Sequence, residues 1–346
     1  MHFNKFRLKA AGPLVLMFFL NVLAYSQERS DSLPVRLMFY NTENLFDTVD
    51  DTLKEDDAFL PGGLMRWNSA RYFKKINSVY KTIIAGGEWY PPAIVGLCEI
   101  ENRKVLEDLV YRTALSNYGY GIVHEESPDP RGIDVCMIFR KDLVRVVDHR
   151  AWIPSEISKD KFHSRSVLYV KCAVLGDTIH LIINHWPSRR GGVLAGEPMR
   201  EEIAEMVRNA VDSLYCVSGN LLKVIVFGDF NCNADDPVIS TLLKSRIPGE
   251  QILFNLADHH PAGVFGTYRY MGNWEMLDQV IVSQGLLKSS SGLIADTKNF
   301  RIFSPDFLLR NDPKYPGMTT FSTYSGYRYI GGFSDHLPVL LDIGFR

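Results

Sequence analysis

Eight short runs rich in Val, Ile, Leu and aromatic residues recur along this chain, and they constrain its fold more than any other feature. They are Val35 to Tyr40, Ala93 to Cys98, Val135 to Phe139, Val167 to Val174, Thr178 to Asn184, Lys223 to Phe227, Leu277 to Val282 and Val339 to Ile343. Runs this short, dominated by β-branched residues, predict strands. Between them, Ala70 to Ile84, Lys104 to Ser116 and Glu197 to Val217 place apolar residues at three-and-four spacing, which predicts helices. Val167 to Val174 and Thr178 to Asn184, joined by Gly176-Asp177, read as a hairpin, so the sheets are at least partly antiparallel. No Pro/Gly/Ser linker separates two units, and one α/β domain over residues 27–346 is expected.

The start of the chain is different. Lys5, Arg7 and Lys9 precede an apolar stretch from Ala10 to Leu23, with Ala24 and Ser26 at the positions three and one before a cut. Residues 1–26 therefore read as a signal peptide, and Pro13, Asn21 and the short apolar length argue against a stable membrane span. The expectation is an exported protein, periplasmic or extracellular. Losing three basic residues moves the formal charge from -2 to -5, which gives no support for strong non-specific nucleic-acid binding but leaves room for a small basic cleft. Five cysteines, Cys98, Cys136, Cys172, Cys216 and Cys232, mostly sit in apolar runs, so no disulfide framework is indicated.

Polar residues gather where the strands end. Val224 to Phe227 leads into Gly228-Asp229-Phe230-Asn231, and residues two apart share a face of an extended chain. A carboxylate and a carboxamide so placed suit positioning a water and steadying a developing negative charge. Similar boundaries carry Asn41-Thr42-Glu43, Glu99-Ile100-Glu101, and His185 followed by Arg189-Arg190-Gly191-Gly192, a basic glycine-rich turn suited to phosphate. Asp278 stands in an apolar strand, where an unpaired carboxylate is costly, so it needs a partner. Ser334-Asp335-His336-Leu337-Pro338 precedes the last strand, and His336 is the best candidate. Each site taken alone has a plain alternative: a turn for Asn41 or Asp229-Asn231, a helix cap for Glu99, a satisfied core histidine for His185. Six such boundaries are harder to explain that way, because strand ends on one sheet edge converge.

Glu99, Asp335, Asn41 and Glu43 offer oxygen, which suits a hard cation, Mg²⁺, Mn²⁺ or Ca²⁺, over zinc. The His259-His260 doublet reads as structural or solvated. Phe303 to Phe333 is long and rich in Tyr, Gly, Pro and Ser, and reads either as a loop rimming a site or as a solvated one.

In this order, Asn41, Glu99, His185, Gly228-Asp229-Phe230-Asn231, Asp278 and Ser334-Asp335-His336 resemble the endonuclease/exonuclease/phosphatase superfamily over nearly the whole mature chain. That superfamily includes DNase I-like nucleases, apurinic endonucleases, inositol-phosphate phosphatases and neutral sphingomyelinases. The resemblance implies a DNase I-like four-layer α/β/β/α sandwich of mixed, largely antiparallel sheets, with the site at one edge. It also implies roles: Glu99 the principal metal ligand; Asn41 a metal-site amide; Asp335 a carboxylate near the metal; Glu43 a second metal-site acid. By the same resemblance Asp229 orients or deprotonates the water, Asn231 donates to the transition-state oxygen, and Asp278 holds His336. His185 is similar to the second histidine of the DNase I-like branch, with Asp134 the candidate partner; Arg189 and Arg190 would face the substrate phosphate.

The reaction these roles describe is one-step, in-line attack of water on a phosphoester. Export and Arg189-Arg190 favour a nuclease-type phosphodiesterase, expected to be a monomer, with nucleic acid a candidate substrate. A sphingomyelinase-like lipid phosphodiesterase and an inositol-phosphate-type phosphatase share the same core. Tyr315, Tyr324, Tyr327 and Tyr329 would either stack bases, touch lipid or pack their own loop. A calcineurin-like metallophosphatase lacks its Asp-x-His and Gly-Asn-His-Glu elements here. A binding module that kept the fold is opposed by the intact set of acids, amides and histidines.

Overall fold

The computed structural model describes residues 35–154, 164–189, 196–259 and 266–346. Residues 1–26, where a signal peptide is expected, and Arg190 and His260 lie outside the described residues. The chain runs through β1 (Val35–Leu45), α1 (Ser69–Gly87), β2 (Ile94–Ile100), α2 (Arg103–Tyr111), β3 (Tyr120–His124), β4 (Asp134–Arg140), β5 (Val144–Trp152), β6 (Val167–Val174) and β7 (Asp177–His185). It continues through α3 (Glu197–Ser218), β8 (Val224–Asp229), α4 (Pro237–Leu243), β9 (Leu253–Asn255), β10 (Tyr268–Tyr270), β11 (Asn273–Glu275), β12 (Asp278–Ser283) and β13 (Leu293–Ile302). The last part holds β14 (Leu309–Asn311), β15 (Met318–Thr320), β16 (Tyr324–Ser325), β17 (Arg328–Tyr329) and β18 (Val339–Phe345).

Two six-stranded sheets form the frame, in the orders β13-β18-β1-β2-β4-β3 and β5-β6-β7-β8-β12-β9. Each is antiparallel except for one central parallel pair, β1 with β2 and β7 with β8. Alternation along the strands explains the layering. Leu37 and Phe39 point into a core shared with Ile225 and Phe227 of the other sheet, whereas Met38 and Tyr40 pack with Ile76, Val79 and Ile83 of α1. Val224 and Val226 face Ile203, Val207 and Val211 of α3. The result is helix, sheet, sheet, helix, as the resemblance implied. Burying each such side chain contributes roughly 1.5–3 kcal/mol.

The sheets approach closely at their centre. Phe39 meets Phe227 edge to face, ring centroids 6.1 Å apart. A Cβ on Gly96 would lie 2.6 Å from the Phe227 ring, so a strand glycine makes room for the aromatic. The helices are anchored locally: Asn68 caps α1 by accepting from the Arg71 amide, and Pro198 occupies the first turn of α3.

All eight predicted strands form, with ends shifted by a few residues, and the three predicted helices form over Ser69–Gly87, Arg103–Tyr111 and Glu197–Ser218. The hairpin turn is one residue earlier than expected. Val174 pairs with Asp177, leaving Leu175 and Gly176 at φ 51 and 84, the paired positive values of a type I′ turn. Phe303 to Phe333 folds into two short hairpins, β14-β15 and β16-β17. Cys98, Cys136, Cys172 and Cys232 are buried and Cys216 is exposed, all as free thiols.

Candidate active site

Register, more than loop chance, assembles the site. Parallel pairing sets His185 beside Asp229, and antiparallel pairing sets Asp229 beside Asp278, so three strand ends of one sheet present their side chains in a row. In the other sheet Asn41 pairs with Cys98, which brings Asn41 and Glu99 out at the same edge. Gly228 belongs to this arrangement: it has φ 148, and a Cβ there would fall 2.1 Å from the Asn184 carbonyl oxygen. Only glycine lets β8 lie that close to β7.

A cleft of about 630 Å³ opens at that edge, lined among others by Asn41, Glu99, His185, Arg189, Asp229, Asn231, Asp335 and His336. The Asp229 carboxylate accepts from the Asn231 amide at 2.9 Å and from Asn41 Nδ2 at 3.0 Å. Because Asn41 Oδ1 accepts from the Glu43 amide at 2.9 Å, the Asn41 side chain is fixed with its NH₂ toward Asp229. Burial pushes the Asp229 pKa up to about 7; His336 opposes this and Asp278 adds to it. Asn231 Nδ2 donates to the Trp186 carbonyl at 2.9 Å, which leaves its second N–H for another acceptor.

The two histidines differ in kind. His336 Nδ1 lies 2.7 Å from Asp278 Oδ2, and its Nε2 faces Asp229 Oδ2 at 3.8 Å. Burial disfavours its charge, but Asp278 and Asp229 outweigh burial and hold its pKa well above the ordinary histidine value. Tyr268 packs on its ring, centroids 4.9 Å apart. His185 Nε2 sits 3.7 Å from Asp229 Oδ2 and 3.8 Å from Glu99 Oε1. Burial, then the cationic Arg165 and Arg131, hold its pKa well below the usual value, so it is neutral. Asp134 is not its partner. That carboxylate lies 2.8 Å from His124 Nε2 and accepts from the Ser127 amide, while the buried His185 Nδ1 finds no hydrogen bond among the described residues.

Glu43 is also drawn away from the cleft. Its oxygens accept from the Thr323 and Tyr324 amides at 2.5 and 3.2 Å, and the buried Lys75 ammonium lies 3.7 Å away. It therefore braces the β16-β17 segment. Arg189 reaches the cleft wall but is shared between the Asn231 carbonyl, 2.8 Å, and Glu275, 2.9 Å. None of the four tyrosines of that segment lines the cleft: Tyr324 packs against Trp67 and Tyr329, Arg71 lies 4.4 Å over the Tyr329 ring, and Tyr327 is exposed. The aromatics lining the cleft are Tyr268 and Tyr270, from the β10-β11 hairpin, and Arg131 and Arg165 supply positive charge. Nothing in the sequence singles out any of the four, because none of them ends one of the apolar runs.

A cation fits the acids at one end. The Asn44 amide engages Glu99 Oε2 at 2.8 Å, while Oε1 faces the cleft. Asp335 lines the same cleft, and burial, with Glu99 close by, raises its pKa. Two carboxylates lining one end of the cleft are oxygen donors of the kind a hard divalent ion takes. Asp229, Asp278 and His336 also bring ligand atoms within 4.8 Å of one another. There, however, the imidazole is tied to Asp278 and favoured in its cationic form, which cannot ligate a metal, so the Glu99–Asp335 end is the better site.

An α/β/β/α sandwich bringing Asp229, Asn231, an Asp–His pair and paired carboxylates to one edge defines a phosphoester hydrolase of the metal-dependent kind. Residues 36–344 match the profile of the Endonuclease/Exonuclease/phosphatase family, and the chain belongs to that family. Its fold is similar to a family protein from Bacteroides thetaiotaomicron, at 15% identity, TM-score 0.57, covering 91% of this chain and 99% of that one. It is similar also to D. rerio TDP2 complexed with a single-strand DNA product, at 13% identity, TM-score 0.53, covering 90% and 98%. A third structure is a mannosyl-6-phosphatase of Bacteroides thetaiotaomicron, at 15% identity, TM-score 0.53, covering 90% and 100%. No curated protein matches the sequence.

Proposed function

We propose that this protein is an exported, Mg²⁺-dependent phosphodiesterase of nuclease type that cleaves by direct in-line attack of water. The observation carrying this is Asp229: a buried carboxylate, fixed by Asn41 and the Asn231 amide, with pKa about 7, within 4 Å of both histidines. A base is most effective with a pKa near the working pH, and Asp229 meets that condition. It would align the water and take its proton. His336, kept cationic by Asp278, would donate from Nε2 to a phosphoryl oxygen, and the free N–H of Asn231 would do the same. His185, being neutral, would hold an oxygen by hydrogen bonding without adding charge. Glu99 and Asp335 would hold the cation, which supplies charge neutralisation at the phosphoryl group when bound.

The nuclease preference draws support from the cationic Arg131 and Arg165 and the aromatic Tyr268 and Tyr270, which offer both phosphate and ring contacts. The bounded cleft of about 630 Å³ favours a second reading, phosphatase action on a small phosphorylated molecule. Mg²⁺-dependent hydrolysis of plasmid DNA, RNA, bis-p-nitrophenyl phosphate and a sugar phosphate, assayed together, separates the two. Asp229→Ala and Glu99→Ala should each lose about a hundredfold to ten-thousandfold in rate. Wild-type turnover of none of these substrates, or full activity in both variants, would overturn the proposal. Export predicts that the secreted mature protein begins at Gln27, read by N-terminal sequencing.

A further inference from the structure

The catalytic scheme leaves one group of charges in the cleft unused. Arg131 and Arg165 both line it, and both are paired with the same carboxylate, Asp129. Arg131 Nε lies 3.3 Å from Asp129 Oδ1, and Arg165 Nε lies 3.3 Å from Oδ2 without making a hydrogen bond to it. Two guanidinium groups share that one carboxylate as their close ion-pair partner, Glu99 and Asp229 attract Arg165 from farther off, and the Arg165 side chain is only 5% exposed. Arg165 Nη2 also lies 3.4 Å from His185 Nε2, and an imidazole carries no negative charge to offset the guanidinium. Among the described residues Arg165 Nε finds no hydrogen-bond acceptor, and a buried guanidinium N–H left without one is costly unless an anion completes it.

The geometry is also held ready. Lys54 Nζ donates to the Ser127 and Asp129 carbonyls at 2.9 and 3.1 Å, and the Gly132 amide closes the turn onto the Asp129 carbonyl at 3.0 Å. Gly132 has φ 65, and a Cβ there would press within 3.1 Å of the Lys54 stem, so the turn needs glycine. Asp129, itself buried, accepts from the Arg131 amide at 2.9 Å, which fixes the carboxylate between the two arginines.

We propose that Arg131 and Arg165, joined through Asp129, form a subsite for a second phosphate group carried by the substrate next to the phosphate that reacts. The inference rests on the phosphoesterase assignment above and narrows it to substrates with at least two phosphates, such as an end-phosphorylated oligonucleotide. A molecule with a single phosphodiester would leave this subsite unfilled.

The test is equilibrium binding in EDTA, by calorimetry, of the thymidine dinucleotide TpT and its end-phosphorylated forms pTpT and TpTp. One of the two end-phosphorylated forms should bind at least about tenfold tighter than TpT, the scale expected of a charge-assisted contact. Arg131→Gln and Arg165→Gln should each reduce that gain to under about threefold, and Arg131→Lys should restore part of it. Arg131 is the more exposed of the two, so its variants serve if Arg165→Gln does not fold, as judged by thermal melting. No gain from either end phosphate, or a gain that survives in Arg131→Gln, overturns the subsite. Hydrolysis of bis-p-nitrophenyl phosphate with Mg²⁺ reads the catalytic assignment separately: binding preference without turnover would keep the subsite and sink the catalytic scheme.

Discussion

His336 and His185 flank the same carboxylate at nearly equal distance, 3.8 and 3.7 Å, yet one is cationic and the other neutral. Both are buried, which alone favours the neutral ring. His336 has Asp278 on Nδ1 and stays cationic; His185 has Arg165 on Nε2, no hydrogen bond on Nδ1 among the described residues, and stays neutral. Burial therefore does not decide a histidine's role in this site. Its neighbours do, and of the two rings His336 supplies charge while His185 supplies only hydrogen bonding.

That contrast can be broken experimentally. His336→Ala should lower kcat/KM about a hundredfold to ten-thousandfold, and His185→Ala clearly less, because only the first removes a positive charge from the reacting phosphate. Equal losses in steady-state assays would erase the distinction. Asp278→Asn should cost about tenfold to a hundredfold and bring the His336 pKa down toward 6.5, followed by imidazole NMR; an unmoved resonance would show that Asp278 is not what keeps the ring charged.

Asp229 between them has a stability consequence. Its folded pKa of about 7 lies above the unfolded value of 3.8, so burying it is free of penalty below about pH 4, and stability is lost as pH rises through 7. Asp229→Asn in EDTA should therefore melt a few degrees higher than wild type at pH 8, with the difference shrinking toward pH 4. A constant or reversed difference would contradict the raised pKa. The smallest effect belongs to Tyr327, 72% exposed and away from the cleft: Tyr327→Ala should change stability by less than about 0.5 kcal/mol and leave kcat/KM alone.

What was legible in the sequence follows the same logic of neighbours. The eight strands read from it are the eight interior strands of the two sheets, and the four overlooked, β3, β5, β9 and β13, are the four edges. Interior strands are covered by pairing and packing, so they are written almost wholly in apolar residues. Edge strands mix charge into the run, as Arg145, Asp148, His149 and Arg150 do in β5, and this hides the strand while it blocks edge-to-edge pairing. In the site, residues at interior strand ends were readable because the apolar run points at them. Arg165 and Tyr268 precede or stand apart from such runs, and nothing local marks them. Asp134 and Glu43 sit at strand ends like the others, but sequence does not say which neighbour claims a carboxylate, and His124 and Lys75 claimed these two.

Glu99 and Asn231 hold left-handed backbone, φ 59 and 50, in a site where glycine would sit without strain. Selection of variants for heat tolerance alone would thus be drawn toward Glu99→Gly and Asn231→Gly. Such a library would enrich well-folded proteins that have lost their chemistry, so thermal screening of this enzyme needs an activity gate at every round.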